Sequence, residues 1–124
     1  MDHPGQPTEI GAALARNRQI AVIYADAGGN ICFWNAGAEA MFGHSATHVV
    51  GHRVDLIVPP AYRDMHWAGF NRTIGTAWRG ADGWGEIEGL HKTGAAVLLE
   101  VLLTPMYDGT GLVDGVMAMF RPRP

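Results

Sequence analysis

Residues 23–60 read "IYADAGGNICFWNAGAEAMFGHSATHVVGHRVDLIVPP". Apolar residues flank a turn, and a chain of small helical segments follows. The first apolar run, "QIAVIYAD" (19–26), is short and β-branched, which predicts a strand. "DAGGN" (26–30) supplies Gly28, Gly29 and Asn30, which tolerate positive φ, so the chain folds back as a hairpin into "ICFW" (31–34). Asn35 is placed to cap a helix over "AGAEAMFG", with Gly43 ending it. Ser45 is placed to cap a further short turn, "ATHVVG", and Asp55 to cap another ahead of the Pro59–Pro60 stop.

Outward from this stretch, Pro60 suits the first turn of a longer helix, read as Pro60 to Thr76. Tyr62, His66, Gly69, Phe70 and Thr73 recur at helical spacing on one face of it. Three strand-like runs follow: "WGEIEGLH" (84–91), "AAVLLEVLLTPM" (95–106) and "LVDGVMAMF" (112–120). "KTG" and "YDGTG" are tight turns between them, so these strands are antiparallel. No long helix separates successive strands throughout, which excludes a doubly wound sheet. The fold class is α+β: a five-stranded antiparallel sheet with short helices and one longer helix packed on one face. A cavity between that face and the long helix is the natural ligand site. The organisation is an N-terminal segment with a short helix (1–18), one domain (19–121) and a tail (122–124).

Composition narrows the function. With 124 residues the chain holds one core; 48% hydrophobic and 17% charged residues make it globular. A net charge of −3 without a Lys/Arg block argues against direct binding to nucleic acid or an acidic membrane. Cys32 stands alone, so neither an intrachain disulfide nor a multi-cysteine zinc site can form. No signal peptide or long apolar span is read, and the expected compartment is the cytoplasm. Phosphate-binding loops, Ser-His-Asp sets and paired carboxylates do not stand out; His66 beside Tyr62 is the one arrangement suggesting acid/base chemistry, and the expectation is a non-enzyme.

The ordered pieces "IYADAGGN…FWNAGAEAMFGHSATHVVGHRVDLIVPP", "HKTGAAVLLEVLLTPM" and "GLVDGVMAMFRP" resemble a PAS domain over nearly the whole chain. His44, His48 and Thr93 depart from the family's usual tyrosine, acidic residue and aspartate. The resemblance implies a sensory and dimerising module for signal transduction, whose members bind haem, flavins, small acids or nothing. "PAYRDMH" (60–66) is similar to the long helix of haem-binding PAS gas sensors, in which the histidine ligates iron. That likeness implies haem b with His66 as axial ligand and a cavity formed with Tyr62, Phe70, Trp84, Ile87, Leu99, Val101 and Leu103. Arg72 and Arg79 are the candidates in sequence to pair with the propionates. The oxygen-sensing pattern differs after the histidine, and places an arginine where Gly85 lies here, so carbon monoxide or nitric oxide would be retained more readily than oxygen. The alternatives are a cofactor-free interaction module with His66 structural, and a flavin or other small-molecule sensor. The cysteine of photoactive LOV domains has no counterpart in "GHRVDLIVPPAY".

Alternation in strand 95–106 points Val97, Leu99, Val101 and Leu103 inward, leaving Leu98 and Leu102 on the outer face. Apolar residues there predict a homodimer through that face. "FRPRP" closes the sequence without helix-forming character, so output would pass to a separate signalling protein or to sequence beyond this stretch. His44, His48 and His52 have the i, i+4, i+8 spacing of a metal-binding helix face, but Ser45 and Gly51 break the helix.

Overall fold

The structure, a computed structural model, describes residues 7–124, with the side chain of Pro7 left aside. The turn-rich start expected for "MDHPGQP" therefore lies almost wholly outside the described residues. Helix α1 (Pro7–Arg16) leads into strand β1 (Ala21–Asp26), which turns into β2 (Ile31–Trp34). Helices α2 (Ala36–Phe42), α3 (Ala46–Val49) and α4 (Arg63–Thr73) follow, and then β3 (Gly85–Leu90), β4 (Ala96–Tyr107) and β5 (Val113–Pro122). The five strands form one antiparallel sheet in the order β2-β1-β5-β4-β3. The expected class and topology hold, with β5 at the centre and running to Pro122, one residue past the expected domain end.

Asn35 organises the first half of the chain. Its Oδ1 accepts from the Val22 and Ala38 amides, at 2.8 and 2.9 Å. Its Nδ2 donates to the carbonyls of Leu14, Asn17 and Ile20. One buried side chain thus caps α2 and ties β1 to the end of α1. Gly37 sits so close to the Ile20 carbonyl that a Cβ would overlap it, which lets α2 approach the sheet end. Gly43 ends α2 in the left-handed conformation, φ 83°. Around this corner lies the tightest packing: Ile23, Ile31, Ala38, Phe42 and Leu99 are all but solvent-free.

The helical connection departs from the sequence reading in three places. Ser45 occupies the N-cap position of α3, but its hydroxyl makes no cap bond. Glu39 Oε2 accepts the Ala46 amide instead, at 2.8 Å, because α2 brings a longer acceptor to the same spot. Asp55 is inside a 3₁₀ turn (Val54–Ile57), not ahead of it, and its carboxylate accepts from the Trp67 indole. The long helix is shorter than read: a 3₁₀ turn over Pro60–Tyr62 precedes α4, which ends at Thr73, with Gly75 at φ 78° redirecting the chain. The Gly75 amide then donates to the Val113 carbonyl at the start of β5, and the Val113 amide donates to the Thr76 carbonyl, so tertiary pairing competes with the last helical turn.

Candidate functional site

Helix α4 and the inner sheet face enclose a cavity of about 660 Å³. Strand alternation supplies its floor: Ile23 and Ala25 from β1, Val116, Ala118 and Phe120 from β5, Val101 and Leu103 from β4. The roof is the face of α4 carrying His66, Gly69, Phe70 and Thr73, with Tyr62 at its entrance. Phe42, Val54 and Ile57 close the end towards α2. Most of this lining is apolar. The size falls within the range of sites that bury most of a small organic ligand.

His66 is the polar feature of the roof. Its Nδ1 is buried with no hydrogen-bond partner among the described residues. The ring meets Trp67 edge-on at 4.6 Å between centroids and lies near-parallel to Phe70 at 6.1 Å. Burial pushes its pKa down from the ordinary histidine value; Asp55 opposes this and Arg53 reinforces it. At neutral pH the imidazole is therefore neutral, with a ring nitrogen lone pair available. Among the described residues, no backbone carbonyl accepts a bond from His66 Nδ1. A lone imidazole with an unsatisfied buried nitrogen costs the fold about 1–3 kcal/mol.

Trp67, one residue on, points the other way and fastens α4 to the β1–β2 turn. Its Nε1 donates to Asp55 Oδ2 at 3.1 Å, and the Arg53 guanidinium lies 4.1 Å from the ring centroid. Beneath the ring is Gly29, φ 80°, where a Cβ would come within 2.4 Å of the indole. The Gly-rich turn thus serves the hairpin and also the seat of α4.

Of the sequence-derived site residues, Tyr62, His66, Phe70, Ile87, Val101 and Leu103 line the cavity. Leu99 shares the face of Val101 but is covered by the core around Phe42 and Gly89, so it is walled off. Arg72 lies about 240° round α4 from His66 and is exposed outside the lining. Arg79, in the segment after α4, has its guanidinium 5.8 Å from the Tyr107 ring centroid, also outside the cavity. Trp84 stacks under Arg121 at 3.9 Å, and Arg121 pairs with Glu100, whose side chain faces opposite to Leu99 and Val101. Trp84 therefore belongs to the outer side of the sheet. Sequence reading missed Met65, Trp78, Glu86, Glu88 and Arg123 in the lining. Arg123 follows the last strand, and its guanidinium reaches the carbonyls of Leu99 and Ile87 and sits 3.6 Å from Glu86. No local sequence signal announces such a long-range contact.

On the outer side, Leu98 is 55% exposed and Leu102 half-buried, with Met119 opposite Leu102 in register. Cys32 is exposed on β2 and lies 3.8 Å from Asp26, away from the cavity. His44 and His48 come together at a second, small depression, which His52 does not join. Among the described residues, no group of three or more His, Cys, Asp or Glu side chains could hold a metal ion, and no helix is long and apolar enough to cross a membrane.

A family model described as "PAS fold" matches residues 16–123. A solved PAS domain from Colwellia psychrerythraea superposes with a TM-score of 0.74 at 24% identity, over 94% of this chain and 96% of that one. A LOV protein of Rhodobacter sphaeroides superposes with a TM-score of 0.68 at 11% identity, over 87% of this chain and 61% of that one. An uncharacterized protein of Azorhizobium caulinodans is 44% identical over 57 residues, which are 45% of this chain and 8% of that protein.

Proposed function

The chain belongs to the PAS family of sensory and signalling domains, and from that premise we propose that it senses a small molecule held between α4 and the sheet. The observation that carries this reading is the cavity itself: a largely apolar space of about 660 Å³ with the neutral imidazole of His66 in its lining. The site is read as binding rather than catalytic, since no carboxylate is bonded to His66 Nδ1 to orient it for proton transfer.

Haem b is the occupant that would use this imidazole most fully, and the apolar walls suit a porphyrin face. The fit is partial: Arg72 and Arg79 do not line the cavity, and Arg123, which does, is occupied by Glu86 and two carbonyls. His66 would hold the iron, and the group would supply gas and redox chemistry. Phe70 beside the imidazole would fix its plane, and Trp67, by anchoring α4, its direction. A flavin finds less support: Cys32 is outside the cavity, and among the described residues no Asn or Gln lines it to pair with a polar ring edge. Signalling through a homodimer at Leu98 and Leu102 completes the proposal, supported by their apolar exposure beside Met119.

The test is to produce the protein with haem supplied and record absorption and native mass spectra of wild type, His66→Ala and Ala118→Trp. The expected result is one bound small molecule per chain in wild type, lost when Ala118→Trp fills the cavity. If that molecule is haem, its Soret band shifts or vanishes in His66→Ala. Haem uptake unchanged by either substitution overturns the assignment of this site.

A further inference from the structure

Where α2 ends, the β3–β4 turn closes on it. The Lys92 amide donates to the Phe42 carbonyl at 2.9 Å, bringing His91 and Lys92 against Gly43. A Cβ on Gly43 would meet the His91 ring at 2.6 Å and Lys92 Cγ at 3.1 Å, so glycine is what permits this approach. The result is a polar depression of about 220 Å³ lined by Gly43, His44, Ser45, His48 and Lys92. It shares no lining residue with the apolar cavity.

Its chemistry is cationic and rich in donors. Lys92 brings an ammonium, and His48, with Nδ1 3.4 Å from Ser45 Oγ, keeps Nε2 free. His91 Nδ1 accepts the Thr93 amide, which puts a proton on Nε2, beside Gly43. Burial lowers the pKa of His44, and Lys92, His91 and His48 lower it further. No carboxylate figures among the charges acting on that ring, and Glu39 on α2 has an oxygen committed to the Ala46 amide. The His44 and His48 imidazoles and the Lys92 ammonium thus line, and the His91 ring borders, a depression large enough for a tetrahedral anion.

We propose that His44, His48, His91 and Lys92 form a binding site for a phosphate-type oxyanion, separate from the sensory cavity. A phosphate-type oxyanion would balance the Lys92 ammonium and accept from these donors at once. Affinity rises as pH falls through the histidine range, because protonated imidazoles add charge and donors. The same chemistry is carried by free phosphate and by a phosphate monoester on a larger molecule.

The experiment follows histidine ring resonances by NMR while inorganic phosphate or phenyl phosphate is added at constant ionic strength set with chloride. Expected are saturable shifts at His44, His48 and His91, upward movement of the His44 titration midpoint, and binding several-fold tighter at about pH 6 than at about pH 8. Lys92→Gln and His48→Gln should each weaken binding several-fold with the thermal midpoint nearly unchanged. Tighter binding of phenyl phosphate assigns the site to a monoester; equal or weaker binding assigns it to free phosphate. Shifts that do not saturate with either probe, or that survive Lys92→Gln unaltered, overturn the proposal. Haem uptake and dimerisation are read separately, so failure here leaves the sensory reading standing.

Discussion

The two ends of the domain solve the problem of buried polar groups in opposite ways. At the α2 end, Asn35 is 2% exposed and makes five side-chain hydrogen bonds, so its amide is saturated. At the α4 end, no residue of the helix is fully buried, and His66 Nδ1 is buried without a partner. The first arrangement spends its polar group on holding α1, β1 and α2 together. The second leaves one ring nitrogen unpaired in a helix that borders an apolar space. The contrast teaches that a sensor domain can concentrate stability in one corner and keep a loosely seated wall for its ligand.

Removing the saturated hub should have the largest effect. Asn35→Ala leaves the Val22 and Ala38 amides and three carbonyls without their partner, and should cost about 3–5 kcal/mol in urea unfolding. A cost below about 1 kcal/mol would mean water replaces the amide, and the contrast between the ends would break. Gly29→Ala tests the hinge between them, since it strains a left-handed turn and strikes the Trp67 ring. A loss of about 2 kcal/mol is expected, with reduced tryptophan burial by fluorescence quenching.

A smaller effect separates the two ends by pH. Because burial lowers the His66 pKa in the folded state, the unfolded chain binds a proton more readily below about pH 6.5. Stability is then full above that value and is lost as pH falls through it towards the lowered folded pKa. The wild-type denaturation midpoint should fall on acidification, and His66→Gln should fall less steeply. Equal slopes would show that His66 is not the group responsible. The smallest effect on stability belongs to the outer face. Leu98→Glu with Leu102→Glu should change unfolding by about 1 kcal/mol or less, yet convert a dimer to a monomer in sedimentation. Dimers surviving both substitutions would move the interface elsewhere.

How far the sequence was legible follows the same division. The hairpin, the Asn35 cap, the Gly43 stop and the three final strands are written in local residue chemistry, and they form the firm end of the fold. Around α4 the determinants are tertiary. Gly75 pairs with β5 and shortens the helix, which moves Arg79 away from the cavity to Tyr107. Trp84 is drawn to Arg121, and Arg123 enters the lining from the far end of the chain. Neither follows from spacing, because each partner lies on another strand. His66 was legible because helical periodicity alone places it with Tyr62 and Phe70. The proposed anion site was half legible: His44 and His48 lie close together in sequence, but His91 and Lys92 arrive through the β3–β4 turn.

The most direct measurement of the contrast is native-state amide hydrogen exchange on the ligand-free protein. The account predicts that the Val22 and Ala38 amides, both bonded to Asn35, exchange only through global unfolding. Amides of α4 from His66 to Phe70 should exchange through a local opening at least about 2 kcal/mol less costly, and Gly29→Ala should lower that opening further. Equal protection at both ends in the ligand-free protein would contradict the account, because α4 would then be as firmly built into the fold as the corner around Asn35.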